Sequence, residues 1–263
     1  MTLIGGQLER YSRNVLIEEI GVKGQKKLLK GSVLVIGVGG LGSPAALYLA
    51  AAGVGTIGLV DSQTVDLTNL QRQIIHSTRD LGSPKTESGR NSVLALNPEL
   101  DVKTFKFEVT AANILDLIKD FDFIIDGTDN FAAKFLINDA CVIAQKPFCH
   151  AGVIRFQGQI TSYLPGQGPC VRCLLTEPPP VDSLPTCGQS GILGAIAGVV
   201  GSLEALEAIK FLTGAGSLLT GQLLTYDGLT MDFRKVKYRH RPDCPVCGDN
   251  PTIVAPLGIK KVS

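Results

Sequence analysis

The sequence predicts an α/β fold with one mixed sheet, parallel in its N-terminal part and continued by antiparallel strands. The stretch "VLVIGVGGLGSP" begins as an apolar strand, turns through G-x-G-x-x-G and enters a helix. Strand and helix patterns then alternate up to residue 145, which is typical of parallel sheets. Later, "QGQITSYLP", "GQLLTYDG" and "MDFRKVKY" alternate apolar and polar residues as antiparallel strands do. We therefore expect a continuous Rossmann-like sheet.

Length and composition narrow the class of protein. At 263 residues and 44% hydrophobic content, the chain can bury a sizeable core. Its 25 lysines and arginines nearly balance 24 aspartates and glutamates, so we expect no nucleic-acid partner and no membrane-surface partner. The N-terminus lacks a signal-peptide pattern and no apolar run reaches the roughly 18 residues of a bilayer span, which favours the cytoplasm.

Each element in the first half of the chain follows from its apolar spacing. "LERYSRNVLIEEIG" and "GQKKLLKG" repeat apolar residues every three or four positions, which predicts two short helices. Strand 33–37, helix 43–53 and strand 56–60 form the first βαβ unit, whose right-handed crossover makes the strands parallel. The next predicted elements are a helix begun by Pro84, strand 101–106, helix 110–119, strand 121–126 and helix 131–145.

The second half adds a long loop and a long helix. Residues 174–190 include "EPPPVDSLP", and a loop of this length is more often functional than incidental. "SGILGAIAGVVGSLEALEAIKFLTG" predicts one helix, buried or facing another subunit, because its apolar run is too short to span a membrane. We expect a single domain over residues 1–248 and a C-terminal tail over 249–263.

The glycine run suggests a first hypothesis about the ligand. Its glycines let a phosphate approach the positive end of a helix, and Asp61 closes the second strand as in dinucleotide-binding folds. This pattern favours a nicotinamide oxidoreductase, which also needs a proton donor in its cleft. His76, His150 and His240 belong to no recognisable catalytic motif, and we interpret each as a surface or capping residue. The nicotinamide hypothesis is weakened, although a lysine or tyrosine acid keeps it open.

Two cysteine pairs have the spacing of metal ligands. Cys170 and Cys173 form one C-x-x-C pair, and Cys244 and Cys247 form another within "RPDCPVCG". In a reducing compartment such pairs indicate metal ligands rather than disulfides. Four thiolates fill the tetrahedral shell of zinc and leave no position for water, so we predict a structural zinc site. The alternative is a set of unrelated core cysteines.

Charged residues gather near the expected carboxyl edge of the sheet. Arg72 in "NLQRQ" and Lys85 in "GSPK" could neutralise a triphosphate, or they belong to a solvated loop and helix start. Asp126 and Asp129 in "DGTDN" follow a strand at that edge, where a carboxylate that faces phosphates can bind Mg²⁺. The alternative for Asp129 is the N-cap of the next helix.

Taken together, eight motifs resemble one family. "RYSRN", "GVGGLGSP", "LVDSQTVDLTNLQRQ", "GSPK", "DGTDN", "CVRC", "PTCGQSG" and "CPVCG" occur in the order found in the MoeB/ThiF group of ubiquitin-activating-like adenylyltransferases, also called HesA/MoeB/ThiF. The resemblance covers residues 8–248. It implies a homodimer that uses ATP to adenylate the C-terminal glycine of a small ubiquitin-like sulfur carrier, MoaD-like or ThiS-like, which ends in Gly-Gly.

The resemblance also implies roles for individual residues. The nucleotide-binding set would be Gly39 and Gly40 under the phosphates, Asp61 at the ribose, Asn69, Arg72 and Lys85 at the phosphates, and Gln73 and Asn130 beside them. Asp129 would bind Mg²⁺, and Arg13 would reach the γ-phosphate from the partner subunit. Cys187 in "PTCGQSG" matches a cysteine that performs covalent chemistry in some relatives, and its alternative is a dispensable thiol.

The implied chemistry explains why no catalytic histidine is needed. A glycine carboxylate is already an anion at neutral pH, so positioning and charge neutralisation suffice for its attack on the α-phosphate. Two alternatives are an NAD-dependent oxidoreductase and a non-catalytic zinc-stabilised binding module. The sequence leaves open whether the carrier serves molybdopterin, thiazole, cysteine or tRNA thiolation. We expect a separate sulfur donor, because no rhodanese-like domain follows in this sequence.

Overall fold

The computed structural model describes residues 5–178 and 190–257. Its strands are Ser32–Ile36 (β1), Thr56–Val60 (β2), Asp101–Phe105 (β3), Phe123–Asp126 (β4), Phe148–Ile154 (β5), Gln157–Tyr163 (β6), Gln222–Asp227 (β7) and Asp232–Lys237 (β8). Its helices are Gly5–Arg10 (α1), Ser12–Val15 (α2), Gly21–Lys30 (α3), Gly42–Ala52 (α4), Lys85–Leu96 (α5), Ile114–Ile118 (α6), Phe131–Ile143 (α7), Val171–Leu174 (α8) and Gly194–Thr213 (α9).

The eight strands form one sheet in the order β3-β2-β1-β4-β5-β6-β7-β8. The first five strands of this order are parallel, whereas β6, β7 and β8 each run antiparallel to their neighbours. The predicted mixed sheet is confirmed. Ile36 pairs with Val60 on one side and with Asp126 on the other, so β1, β2 and β4 end at one edge. Chain order reverses between β1 and β4, and open α/β sheets bind ligands at such a reversal.

Each face of the sheet carries its own hydrophobic cluster. Val33 and Val35 of β1 pack with residues of α4, α5 and α9, whereas Leu34 and Ile36 pack with residues of α6 and α7. This alternation is the two-residue period of a strand that is buried on both sides. Among the helices of residues 5–178 and 190–257, none combines the length and the apolar character needed to cross a bilayer.

Two predicted helices are shorter in the structure. Residues 110–113 form a turn before α6, because Asn113 accepts a hydrogen bond from the Thr110 amide at 2.8 Å. The long helix begins at Gly194 rather than at residue 190, because Gly191 has a left-handed φ of 77° and Ile192 forms a bridge with Arg155. In both places a local hydrogen-bonding alternative competes with the apolar helical pattern.

The N-terminal region and the predicted tail also gain detail. The first predicted helix is divided into α1 and α2 at Tyr11, whose hydroxyl accepts a hydrogen bond from Asn97 at 2.8 Å. In the predicted tail, the amides of Thr252 and Ile253 donate to the Pro245 carbonyl at 3.0 and 2.8 Å. The division of the chain at residue 248 stays a prediction.

Candidate functional site

The glycine loop between β1 and α4 presents free amides at the edge of the sheet. Gly37 has a φ of 93°, and a Cβ on Gly42 would lie 2.0 Å from the Gly37 carbonyl oxygen, so the turn tolerates side chains at neither position. Within the described part of the chain, the N–H groups of Gly39 and Gly40 have no hydrogen-bond partner. Two free amides before a helix N-terminus can bind an anion.

Asp61 lies at the end of β2 and braces this loop. One carboxylate oxygen accepts the Val38 amide at 3.0 Å, and the other accepts the Gln63 amide at 2.8 Å. Each oxygen retains a second lone pair. Asp61 is therefore oriented beside the glycine loop and can still accept a hydroxyl.

The "NLQRQ" segment lies directly against the glycine loop. A Cβ on Gly40 would lie 3.5 Å from Cγ of Arg72, and a Cβ on Gly39 would lie 3.7 Å from Nε2 of Gln73. The Arg72 guanidinium also donates to the Thr68 carbonyl at 3.0 Å. Asn69 belongs to a capping box, in which its Oδ1 accepts the backbone amide three residues earlier at 3.1 Å. The structure thus brings Arg72 and Gln73 to the predicted phosphate site.

Lys85 begins α5 and is 3% exposed, so the solvated interpretation of this residue is wrong. Its Nζ donates to Oε1 of Gln63 at 2.7 Å. Burial lowers the pKa of Lys85 from its ordinary value, while the charges of Asp61 and Asp129 act to raise it. The site therefore holds a buried cation within electrostatic range of two carboxylates and of Arg72.

In the "DGTDN" loop the two aspartates have different surroundings. Asp126 is fully buried, and its carboxylate accepts hydrogen bonds from Thr128 Oγ1 at 2.6 Å, Lys134 Nζ at 3.3 Å and His150 Nδ1 at 2.9 Å. Burial raises the pKa of Asp126, but Lys134 and His150 outweigh it and hold the pKa at about 2. Asp126 is thus a buried anion whose hydrogen bonds hold the "DGTDN" loop in shape.

Asp129, in contrast, is exposed, and its carboxylate makes no hydrogen bond or ion pair to any residue in the described ranges. The N-cap of α7 is Asn130, whose Oδ1 accepts the Ala133 amide at 2.9 Å, so the capping interpretation of Asp129 is wrong. A free carboxylate beside Lys85 and the glycine amides fits a hard cation such as Mg²⁺ that is shared with phosphate oxygens. Asn130 keeps its amide N–H groups and one oxygen lone pair for a ligand.

The surface interpretation is also wrong for two of the three histidines. His76 is buried, with its Nε2 3.0 Å from the Val38 carbonyl oxygen of the glycine loop. His150 is buried in β5 against Asp126, and burial lowers the pKa of its imidazole. His240 is exposed, and its Nε2 lies 2.7 Å from the Cys247 carbonyl oxygen.

Arg13 lies far from the glycine loop of its own chain. Its neighbour Tyr11 packs on Gly53, and Asn14 donates to the Ala52 carbonyl at 3.5 Å, so both contact the C-terminal end of α4. The glycine loop precedes the other end of this 11-residue helix, about 16 Å away at 1.5 Å per residue. Arg13 is exposed, and the structure does not bring it to the predicted site within one chain.

The four predicted metal ligands come together in one cluster, which we call the cysteine cluster. The Sγ atoms of Cys170, Cys173, Cys244 and Cys247 lie within 4.8 Å of one another. Cys170 and Cys244 are 3.6 Å apart, and Cys173 and Cys247 are 3.4 Å apart. A tetrahedral zinc site with Zn–S near 2.3 Å needs sulfurs about 3.8 Å apart. The cluster can therefore hold one metal ion, which excludes the interpretation as unrelated core cysteines.

A buried ion pair anchors the cysteine cluster to α7. Arg172, between the first two cysteines, donates to both carboxylate oxygens of Asp139 at 2.7 and 2.8 Å. Its guanidinium also lies 4.7 Å from the ring centre of Phe135, and the Val171 amide donates to Asn138 at 2.8 Å. Sequence reasoning missed this ion pair. Its signal is a charged residue inside a C-x-x-C pair followed by apolar residues, because a buried charge needs a partner.

Cys187 lies outside the described residues, so its covalent role stays a prediction. Where the description resumes, the chain contacts the "NLQRQ" segment. Gln71 donates to the Ile192 carbonyl at 3.5 Å, and a Cβ on Gly194 would lie 2.2 Å from the Gln71 carbonyl oxygen. The long loop therefore ends beside Arg72 and the glycine loop.

Several known proteins are similar to this chain. It is 45% identical over 252 residues to "Adenylyltransferase and sulfurtransferase MOCS3" of Aedes aegypti, covering 95% of this chain and 58% of that protein. It is 42% identical over 251 residues to "Sulfur carrier protein adenylyltransferase" of Thermus thermophilus, covering 94% of this chain and 93% of that protein. The chain thus spans just over half the length of the MOCS3 relatives that it matches.

Solved structures agree with the fold. E. coli MccB superposes with a TM-score of 0.83 at 25% identity, over 95% of this chain and 75% of MccB. The structure of E. coli MccB with ATP gives a TM-score of 0.80 at 25% identity, over 91% of this chain and 73% of MccB. The ThiF family model matches residues 11–246. This match includes the glycine loop and all but the last ligand of the cysteine cluster, and the chain belongs to the ThiF family.

Proposed function

We propose that the protein uses ATP to adenylate the C-terminal glycine of a small ubiquitin-like sulfur carrier and so activates it for sulfur transfer. The observation that carries this proposal is the convergence of free Gly39 and Gly40 amides, Arg72, Lys85 and the unpartnered Asp129 at the sheet reversal. The names of the Aedes and Thermus relatives support adenylation, and the MccB complex supports ATP as the nucleotide. They support neither a nicotinamide oxidoreductase nor a non-catalytic binding module.

In the proposed reaction, a carboxylate oxygen of the carrier's terminal glycine attacks the α-phosphorus of ATP. The bond between the α-phosphorus and the bridging oxygen breaks, and pyrophosphate leaves with that electron pair. The Gly39 and Gly40 amides, Arg72 and Lys85 neutralise phosphate charge, and Asp61 accepts a ribose hydroxyl. Because the attacking group is already an anion, no base is required.

Two metals accompany this proposal. Asp129 would hold Mg²⁺, which supplies positive charge to the phosphates when bound. The cysteine cluster would hold one zinc, and because all four ligands are protein thiolates its role is structural. The tie between Arg172 and Asp139 then links the zinc to α7, whose first turn follows Asp129.

Further features belong to the same proposal. We expect a homodimer in which each Arg13 reaches the partner's ATP, a cytoplasmic location and a separate sulfur donor. The molybdopterin and thiamine-thiazole pathways are the expected contexts. Adenylation needs no thiol nucleophile, so a covalent role of Cys187 would belong to the later sulfur transfer. Residues 1–248 would form the adenylating domain.

The test is carrier-dependent ATP–pyrophosphate exchange, measured with MoaD-like and ThiS-like carriers. Asp129→Ala should keep the fold and lose exchange by about 100-fold or more, because the metal loses its protein ligand. Asp116→Ala removes an exposed aspartate of α6 that pairs with Lys119, and it is the control. Near-normal exchange in Asp129→Ala would contradict the magnesium role, and wild-type protein without exchange for any carrier would contradict the proposed function.

Action of Arg13 across a dimer is tested by mixing inactive chains. A hybrid of Arg13→Ala and Asp129→Ala chains contains one site with its own Asp129 and the partner's Arg13. Exchange activity should therefore return on mixing, because a two-fold dimer interface makes both sites composite. No recovery after demonstrated subunit exchange would contradict action in trans.

A further inference from the structure

The His76 side chain contacts both the glycine loop and α5. Its Nε2 is 3.0 Å from the Val38 carbonyl oxygen, and its Nδ1 is 2.8 Å from Oγ of Ser88 on α5. The side chain is 6% exposed. A carbonyl oxygen can only accept, so Nε2 carries the proton and Nδ1 accepts the Ser88 hydroxyl. Burial lowers the pKa of His76, which favours the neutral imidazole.

The contact determines where the next amide points. In a trans peptide the carbonyl and the N–H that follows it point in opposite directions. Because the Val38 carbonyl points at His76, the Gly39 N–H points away from His76, and it has no partner among the described residues. The Val38 amide is held in turn by Asp61 at 3.0 Å. Both polar groups of Val38 are thereby fixed, the carbonyl by His76 and the amide by Asp61.

The same bonds tie the loop to the phosphate-site lysine. Ser88 lies one turn after Lys85 on α5, and Lys85 donates to Gln63, whose amide donates to Asp61. Gly89 permits this close packing, since a Cβ there would lie 3.1 Å from the Val38 side chain. These hydrogen bonds, together with the covalent chain of α5 from Lys85 to Ser88, therefore connect the glycine loop to α5 and to the end of β2.

We propose that His76 is a positioning residue, which fixes the Val38–Gly39 peptide so that the Gly39 amide faces the phosphates of the nucleotide. The inference rests on the proposed use of ATP. His76 does not touch the reacting atoms and transfers no proton. Its contribution is to hold a donor in place before the nucleotide binds, so that no ordering of the loop is needed on binding.

The test compares ATP with adenosine, which lacks phosphates, by calorimetric binding to wild-type and variant proteins. The amide of glutamine reaches as far as the imidazole Nε2, whereas that of asparagine reaches only Nδ1. His76→Asn should therefore weaken ATP binding about tenfold, the value of one well-placed hydrogen bond, and leave adenosine within about twofold. His76→Gln should restore most ATP affinity. Ser88→Ala removes the hydrogen-bond partner of Nδ1 but leaves the His76 imidazole in place. Its ATP affinity should therefore lie between those of wild type and His76→Asn.

The control is Thr104→Ala, which removes a hydrogen bond from β3 to Glu87 of α5 and changes neither His76 nor its neighbours in sequence. This variant should bind both ATP and adenosine as tightly as wild type does. Equal loss of ATP and adenosine binding, or equal behaviour of the His76→Asn and His76→Gln variants, would overturn the positioning role while leaving the proposed function intact. A wild-type protein that binds no ATP would overturn the proposed function and this inference with it.

Discussion

Buried acids on the two faces of the sheet differ in whether each of them has a partner. On the face covered by α7, Asp126 is paired with Lys134 and His150, and Asp139 is paired with Arg172. On the face covered by α9, the carboxyl of Glu204 is fully buried, and neither oxygen has a hydrogen-bond partner among the described residues. The paired charges hold the "DGTDN" loop and the cysteine cluster, so the α7 face carries the framework of the site. The α9 face carries an acid with no such task.

We expect the metal to make the largest single contribution to stability on the α7 face. Cys244→Ser should lose the zinc, about one per wild-type chain, and lower the free energy of unfolding by at least about 5 kcal/mol, because structural zinc binding supplies roughly 10 kcal/mol or more of folding free energy. Cys141→Ser, a buried cysteine of α7 outside the cluster, is the matched control and should keep the metal. Metal analysis and thermal unfolding measure both. Full zinc occupancy in Cys244→Ser would show that the ligands are wrong.

The ion pair between Asp139 and Arg172 should give the next largest effect. Asp139→Ala leaves a buried guanidinium without its carboxylate, so the free energy of unfolding should fall by about 3–5 kcal/mol in urea denaturation. The double variant Asp139→Leu with Arg172→Met removes both charges and should recover most of that loss. If the double variant is as unstable as Asp139→Ala, packing rather than charge pairing explains the anchor.

Some features of the site could be predicted from the sequence, and others could not. The glycine loop, Asp61 and "DGTDN" were predictable because each directly follows an apolar strand, and parallel strands end at one edge. The cysteine cluster was predictable because each pair has ligand spacing. These features are local, and the structure confirms their assembly.

Most of the side chains that hold the site residues in place could not be predicted by the same reasoning. His76 bonds to Val38, 38 residues earlier, and the polar residues "STR" that follow it give no sign of burial. The pair of Asp126 and His150 could have been found, because adjacent parallel β4 and β5 place the two residues in register. Arg172 and Asp139 meet only through the packing of α8 on α7, which no periodicity encodes.

Glu204, the buried acid of α9 that has no hydrogen-bond partner among the described residues, makes stability depend on pH. Burial, with a further effect from the charge of Asp126, raises the pKa of Glu204 well above its ordinary value near 4.5. The folded chain therefore keeps a proton that the unfolded chain has released. Stability from this group is fully present below the unfolded pKa and falls as the pH rises through the folded pKa.

Glu204→Gln should sharpen this contrast with the smallest effect of the three when it is measured below about pH 6, because it replaces a protonated acid by a neutral side chain of the same shape. Urea unfolding should give nearly equal stability for variant and wild type near about pH 4.5, and an advantage for the variant that grows by up to about 1.4 kcal/mol per pH unit above it. Glu207→Gln, one turn along α9, is the control. Glu207 accepts hydrogen bonds from Ser162 at 2.6 Å and from the Leu219 amide at 2.8 Å through one carboxylate oxygen and pairs with Lys210 through the other, so glutamine should lose the ion pair and destabilise the protein at neutral pH. A constant difference between Glu204→Gln and wild type across the pH range would mean that Glu204 is charged in the folded protein and that the α9 face supplies a partner for it.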